Sequence, residues 1–226
     1  MNRKVNSVDV RELGTNQYEI VTRYELTGIH VPYEVKYILH ADASVTVTAS
    51  MDMGNRELPE LPRFGMRMIL DSQFENLSYY GRGPWENYID RNYSSEIGIY
   101  KDNVDNQYFL EYMRPQESGN KTDVRWLRLL NNKGVGLEIS GVQAIAFSAT
   151  RYAVEELDPG MTKKQMHPYQ LKKSKDIQLH VDLKQRGVAG DDSWGSLPHE
   201  PYRLTDKAYT YSYTIKAIAD GDSRDE

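Results

Sequence analysis

Ile177-Gln-Leu-His-Val-Asp-Leu-Lys184 and Ala208-Tyr-Thr-Tyr-Ser-Tyr-Thr-Ile-Lys-Ala-Ile218 alternate residue types along their length. Ile177, Leu179, Val181 and Leu183 fall on one side of the first stretch, and Gln178, His180, Asp182 and Lys184 on the other. In the second, Tyr209, Tyr211, Tyr213 and Ile215 oppose Thr210, Ser212, Thr214 and Lys216. A period of two is the mark of an extended chain with one buried face, because successive side chains leave a strand on opposite sides. Strand patterns also cover Tyr18–Leu26, Glu34–His40, Ser44–Met53, Arg63–Leu70, Leu77–Gly81, Ile97–Lys101, Val124–Leu130, Gly136–Ser140 and Ala144–Ser148, and the residues after Met1 are strand-like. Asn131-Asn-Lys-Gly134 and His40-Ala-Asp-Ala43 lie between apolar runs and read as hairpin loops. Helix signals are confined to Thr150–Leu157, with Thr150 as N-cap and Asp158-Pro159-Gly160 as a stop. Many strands, short turns and almost no helix predict an all-β sandwich of antiparallel sheets. A single domain over residues 1–220 with a polar tail at 221–226 is expected, since no linker and no repeat divides the chain.

The composition narrows the function classes. With 226 residues, 39% of them hydrophobic and 27% charged, the chain can bury a substantial core. The net charge of −5 and the lack of a clustered basic face argue against a nucleic-acid partner. Lys163, Lys164, Lys172, Lys173 and Lys175 are flanked by Asp158 and Asp176 and read as a solvated loop. No apolar run approaches the roughly 20 residues of a membrane helix, so no membrane partner is expected. Absence of cysteine excludes disulfides and thiolate metal sites. The opening MNRKVNSVDV has no apolar signal core, which leaves cytoplasm and periplasm both open for a larger polypeptide. Seventeen tyrosines, against three Trp and four Phe, suit half-buried strand positions and surfaces that meet sugars.

Three loops break the alternation. The first, Gly81–Arg91, mixes Arg82, Glu86, Asn87, Asp90 and Arg91 with Trp85 and Tyr88. Such side chains serve sugar hydroxyls, or else satisfy one another, with Arg82 or Arg91 paired to Asp90 or Glu86 and Trp85 as a plug. The second, Met113–Trp126, holds Gln116, Glu117 and Asn120. Glu117 alone is a weak acid–base candidate, because glycoside hydrolysis needs two carboxyls about 5 Å or more apart; a structural hydrogen-bonding role is the alternative. The third, Gly187-Val-Ala-Gly-Asp-Asp-Ser-Trp-Gly195, sets Trp194 beside Asp191, Asp192 and Ser193. An exposed indole next to carboxylates forms a sugar platform, since the C–H face of a pyranose stacks on the ring while its hydroxyls seek acceptors; a Trp folded under its own loop is the opposing reading. Asp191 and Asp192 are adjacent and do not make a catalytic pair, and they lack the alternating oxygen pattern of a calcium loop. His30, His40, His167, His180 and His199 show no metal-ligand spacing. His167, before Pro168-Tyr169, is either a donor to sugar or a satisfied loop residue. No nucleophile elbow and no phosphate-cradling glycine loop is present.

Taken in order, Gly81-x-Gly-Pro-x-Glu-Asn-Tyr-x-Asp-Arg91, Pro115-Gln-Glu-x-Gly119 running into Asp123-Val-Arg-Trp126, His167-Pro-Tyr169 and Gly190-Asp-Asp-Ser-Trp-Gly195 resemble the C-terminal "small chain" domain, the fifth domain, of family 2 β-galactosidases. The resemblance runs from about Leu58 to Ile218. It implies a supersandwich of large antiparallel sheets, shared with galactose mutarotases. It further implies a non-catalytic role in a retaining β-galactosidase that cleaves terminal β-D-galactosides. The two catalytic glutamates, Mg²⁺ and often Na⁺ would then belong to a TIM barrel that is not in this sequence. Trp194 matches the family's stacking tryptophan on the aglycone side, and Asp191, Asp192 and Ser193 match the loop that shapes it. The same resemblance implies docking to the other domains of one polypeptide and a homo-oligomeric parent enzyme. No catalytic residue and no cofactor is carried over to this chain. The family's domain usually opens with further strands and a Trp-Arg-Ala-Pro-type segment, which this sequence lacks, so it reads as an N-terminally trimmed piece. The other function class is a stand-alone carbohydrate-binding or aldose-epimerase-like module, for which His167 with Glu117 is the one acid–base pair to nominate.

Overall fold

The computed structural model describes residues 2–158, 166–192 and 194–219. It contains eleven strands: β1 (Arg3–Gly14), β2 (Gln17–Leu26), β3 (Val31–Leu39), β4 (Val45–Asp52), β5 (Arg63–Leu70), β6 (Asn76–Gly83), β7 (Glu96–Asn103), β8 (Lys121–Leu130), β9 (Gly136–Thr150), β10 (Ile177–Gln185) and β11 (Ala208–Ile218). All pairings are antiparallel. The strand order β1-β2-β3-β4-β11-β9-β8-β6-β7 runs edge to edge, and β10 joins β9 to β5 off that path.

Strand β9 creates the second layer. Its first half pairs with β11 from Gly136 to Gly141, and its second half pairs with β10 from Ala146 to Thr150. A Cβ at Gly141 would lie 2.1 Å from the Gln143 carbonyl oxygen, so only glycine fits where the strand changes partners. Gln143 then replaces the lost ladder: its side-chain amide donates to Ser212 O at 3.0 Å and accepts from Ser212 N at 3.3 Å. Thus β5 and β10 fold across the face of β4 and β11. Phe64 of β5 stacks on Tyr209 at 5.3 Å between centroids and meets Tyr211 edge-on at 5.7 Å. The Tyr211 hydroxyl donates to Val181 O at 2.8 Å. The core between the layers is a continuous set that includes Val47, Ala49, Leu127, Ile139, Phe147, Leu179, Val181 and Tyr213, each at most 2% exposed.

Alternation locates most strands to within a few residues, but three expectations change. Gly136–Ser140 and Ala144–Ser148 are one bent strand. Thr150 ends β9 as a buried residue instead of capping a helix; the helix is the single turn α1 (Val154–Leu157), with Ala153 at its N-cap. The third change concerns β10, where Gln178, His180 and Asp182 are buried along with Ile177, Leu179 and Val181. His180 and Asp182 of the polar face meet Arg63 and not water. The proposed stop at Pro159-Gly160, Lys163, Lys164 and the tail at 221–226 lie outside the described residues.

Gly65 of β5 faces Asp182 so closely that a Cβ would lie 1.7 Å from Oδ1 and 2.7 Å from the Asp182 Cα. Gly65→Ala is expected to destabilise the chain by about 1–3 kcal/mol in urea unfolding, the usual range for overpacking. Gly28→Ala, at a glycine with nothing within 4 Å of its would-be Cβ, should stay within about 0.5 kcal/mol. Equal effects from the two would contradict the close approach of β5 and β10.

Candidate functional site

The pairings bring the three special loops to one place. Lys121, Phe147 and Val181 form a single row across β8, β9 and β10. The second loop leads into β8 at Lys121, and the first leaves β6, a neighbour of β8 in the sheet, at Gly83. The third leaves β10 at Gln185. Between them lies a cleft of about 540 Å³, lined by Pro62, by Tyr88 and Arg91, by Tyr112, Gln116 and Glu117, and by residues 185–190 with Asp192, Gly195, Ser196 and Pro198; Trp194 is not part of its lining.

In the first loop Arg91 pairs with Glu86, one of the pairings expected, while Arg82 finds its partner outside the loop. Glu86 accepts from Ser118 Oγ at 3.0 Å, Gly119 N at 2.8 Å, Arg91 at 2.5 Å and the Tyr112 hydroxyl. Burial alone would raise its carboxyl, but those donors, Tyr112 first, hold it below the ordinary carboxylate range. Glu86 is therefore an ionised tie between the first two loops and not a proton donor. Asn87, fully buried, donates to the carbonyls of Arg82 and Trp85 and accepts from Thr122 N and Oγ1. Arg82 pairs with Asp123, not with Asp90 or Glu86. Trp85 is 67% exposed and is not a plug. Tyr88 is buried, and its hydroxyl has no hydrogen-bond partner among the described residues.

Glu117 of the second loop is drawn toward a cluster of polar side chains on β5 and β10. Arg63 donates to Glu117 at 2.6 Å, to Gln185 at 2.8 Å and to His180 Nδ1 at 2.7 Å. Its Nε also lies 3.1 Å from Asp182 Oδ2, without an aligned hydrogen bond. His180 is pushed down to about 3, by burial first and then by Arg63 and Arg67. It is thus a neutral acceptor. Asp182 is pushed up to about 7 by complete burial, against the pull of Arg63 and with a further push from Glu117.

The third loop presents Trp194. Gly187 N donates to Tyr202 O at 2.8 Å, and Asp90 accepts from Val188 N at 3.2 Å and Ala189 N at 2.8 Å. Asp192 Oδ1 accepts from Trp194 N at 2.7 Å and lies 3.4 Å from Ser196 N, which holds its carboxyl below the usual range. Asp191 pairs with His199 at 2.8 Å. The Trp194 indole is 93% exposed, so the folded-under alternative fails. Ser193 lies outside the described residues.

His167 is exposed, stacks on Tyr169 at 5.4 Å and is not part of the cleft lining. It is not brought together with Glu117, which is tied to Arg63. Among the described residues no group of three His, Asp or Glu side chains is disposed to hold a metal ion.

Comparison with known proteins places this geometry. The model of the β-galactosidase small-chain family matches residues 1–215. The chain belongs to that family. The β-galactosidase of Priestia megaterium is 37% identical over 185 residues, covering 81% of this chain and 17% of that protein. The β-galactosidase of Halalkalibacterium halodurans is 33% identical over 220 residues, covering 96% and 21%. A galactose mutarotase related enzyme from Lactobacillus acidophilus is similar at 9% identity with a TM-score of 0.41, over 95% of this chain and 72% of that chain. This small chain therefore spans about a fifth of the length of the curated relatives it matches.

Sequence reasoning missed the small-chain residues that bind the loops together: Arg63, Tyr112, His180 and Asp182. Arg63 opens a strand and reads as an ordinary surface arginine. The one available signal was Gly65 two residues on, since a glycine within a strand marks close approach by another group.

The buried carboxyl gives a pH dependence. Between about 4, the value of an unfolded aspartate, and about 7, the folded chain keeps a proton on Asp182 that the unfolded chain releases. Stability from this group is present at low pH and is lost as pH rises through that window, with a limiting slope of about 1.4 kcal/mol per pH unit for one proton. Asp182→Asn removes that slope while leaving His180 in place. Urea unfolding at pH 5 and pH 7.5 should show the variant gaining on the wild type as pH rises. A gap that does not change with pH would mean that Arg63 keeps Asp182 ionised throughout.

Proposed function

We propose that this chain is a non-catalytic domain of a long, retaining β-galactosidase of glycoside hydrolase family 2, which completes the sugar site with Trp194 and docks on the catalytic unit. The observation that carries the reading is the 93% exposed indole of Trp194 on a loop whose backbone is held from both sides. A flat apolar ring beside the carboxylates of Asp191 and Asp192 suits the C–H face of a pyranose and its hydroxyls. Exposed Trp85, Phe109, Met113, Val188 and Leu197 on or beside the same loops are suited to a docking face. Homo-oligomerisation of the long polypeptide belongs to the same proposal.

Retaining hydrolysis passes through a covalent galactosyl intermediate and uses two carboxyls about 5–5.5 Å apart. The carboxylates around the cleft are otherwise engaged. Glu86 is bound by four donors, Asp192 caps its own loop, Asp191 pairs with His199, and Asp182 is sealed from solvent. The nucleophile and the acid–base residue, with any Mg²⁺ or Na⁺, are assigned to the remainder of the polypeptide. The epimerase-like alternative loses support, because His167 and Glu117 do not converge.

The isolated chain is expected to give no turnover of a chromogenic β-galactoside above buffer. Turnover that co-purifies with the chain and disappears with Glu117→Gln would refute the non-catalytic assignment. Trp194→Ala should change the unfolding free energy of the isolated chain by no more than about 0.5 kcal/mol. A loss of about 3–5 kcal/mol, the cost of truncating a buried aromatic, would make Trp194 a core residue and remove the platform.

A further inference from the structure

We propose that Asp90 is the positioning residue of the Trp194 platform, an inference that rests on reading Trp194 as the sugar-stacking surface. The indole is almost wholly exposed, so the path of its backbone must set its place. That path has two clamps. Near the tip, Asp192 Oδ1 accepts the amide of Trp194, and a Cβ at Gly190 would lie 2.5 Å from Ser196 O, so the two legs of the loop close on each other. At the base, the two oxygens of Asp90 take one amide each, Oδ1 from Val188 and Oδ2 from Ala189. A Cβ at Gly187 would lie 2.3 Å from Asp90 Oδ2 and 3.0 Å from the Tyr202 Cβ, so glycine there is what lets the carboxylate reach the backbone.

Asp90 is itself well fixed. Tyr88 and Arg91 exchange backbone hydrogen bonds of 3.1 and 2.9 Å, which places Ile89 and Asp90 at the tip of a tight turn. Tyr88 is buried, and the neighbouring Asn87 accepts from Thr122 of β8 and from Asn120 of the second loop while its amide donates within its own loop. The carboxylate is thus held by the sandwich and offered to the third loop. An anionic acceptor on two backbone N–H groups makes charge-assisted bonds, stronger than neutral ones. Misplacing a substrate-positioning group by about 1 Å can cost a hundredfold in rate. An anchored carboxylate gives the otherwise unsupported indole one position.

The test uses hydrogen exchange in this chain and kinetics in a β-galactosidase of its relatives' full length in which this chain replaces the matching part. Asp90→Asn leaves one oxygen acceptor and turns an NH₂ toward an amide. Exchange of the Val188 and Ala189 amides is expected to rise by tenfold or more, with the amides of Leu127 and Leu129 in β8 unchanged. Gly187→Ala, which attacks the same contact from the loop side, should do the same, and the double variant should add little to either. In the long enzyme, Asp90→Asn should raise KM for lactose several-fold while kcat changes by less than twofold, a split that general loss of folded protein does not produce. Unchanged exchange in both single variants overturns the proposal. So does an unaltered KM for Asp90→Asn in an enzyme whose KM does respond to Trp194→Ala. If Trp194→Ala leaves KM unaltered as well, the platform reading itself has failed, and the proposal falls with it even where exchange shows the clamp to be real.

Discussion

The exchange of partners along β9 is the constraint on which the rest of the structure depends. One strand pairs with β8 on one edge along most of its length, and on the other edge it serves β11 first and β10 second. A fifteen-residue strand cannot do this while straight. It turns where Gly141 admits the Gln143 carbonyl, and the Gln143 side chain satisfies the Ser212 backbone that the turn would leave bare. Buried peptide groups without partners are costly, so this small device permits the fold-over. The fold-over sets β10 over the tyrosines of β11 and aligns Val181, Phe147 and Lys121 in one row. Loops distant in sequence then open at one end of the sandwich.

Charge is used at that end mainly for construction. Arg63 gathers His180, Glu117 and Gln185 within 2.8 Å and stands beside Asp182. Glu86 gathers Arg91, Tyr112, Ser118 and Gly119. Both are ionised groups inside or at the margin of a dry interior, where an unmatched partner is expensive. They tie the loops to one another and to the strands. Among the apolar side chains these loops present to solvent is the indole of Trp194, with Asp191 and Asp192 close to it in the chain.

The sequence made the fold largely readable because a half-buried antiparallel strand leaves its period in the residue order. The reading failed where both faces are buried. In β10, Gln178, His180 and Asp182 look like a solvent face, yet all three are buried, and His180 and Asp182 face the half-buried guanidinium of Arg63. Alternation records polarity and cannot tell water from Arg63. The helix ends at Leu157 as expected, but its start was misplaced for a related reason: Thr150 is a good cap by type, but pairing with Gln178 keeps it in β9. In the site, Trp194 stood out because no strand pattern called for it. The Arg91–Glu86 pair was legible because its members are close in sequence, whereas Asp90 was visible as a residue type but its partners were not, since pairing across about a hundred residues leaves no local mark. Arg63 and Tyr112 gave still less, each being a common residue at the end of a strand or in a loop.

A titration of the isolated chain with lactose, followed on the indole N–H resonances of Trp85, Trp126 and Trp194, tests most directly whether this domain is a sugar-binding surface without chemistry of its own. The account predicts a saturable shift of the Trp194 resonance, smaller or no shifts at the other two indoles, and intact lactose at the end. Three unmoved indoles at saturating sugar, or free galactose accumulating in the tube, would contradict it.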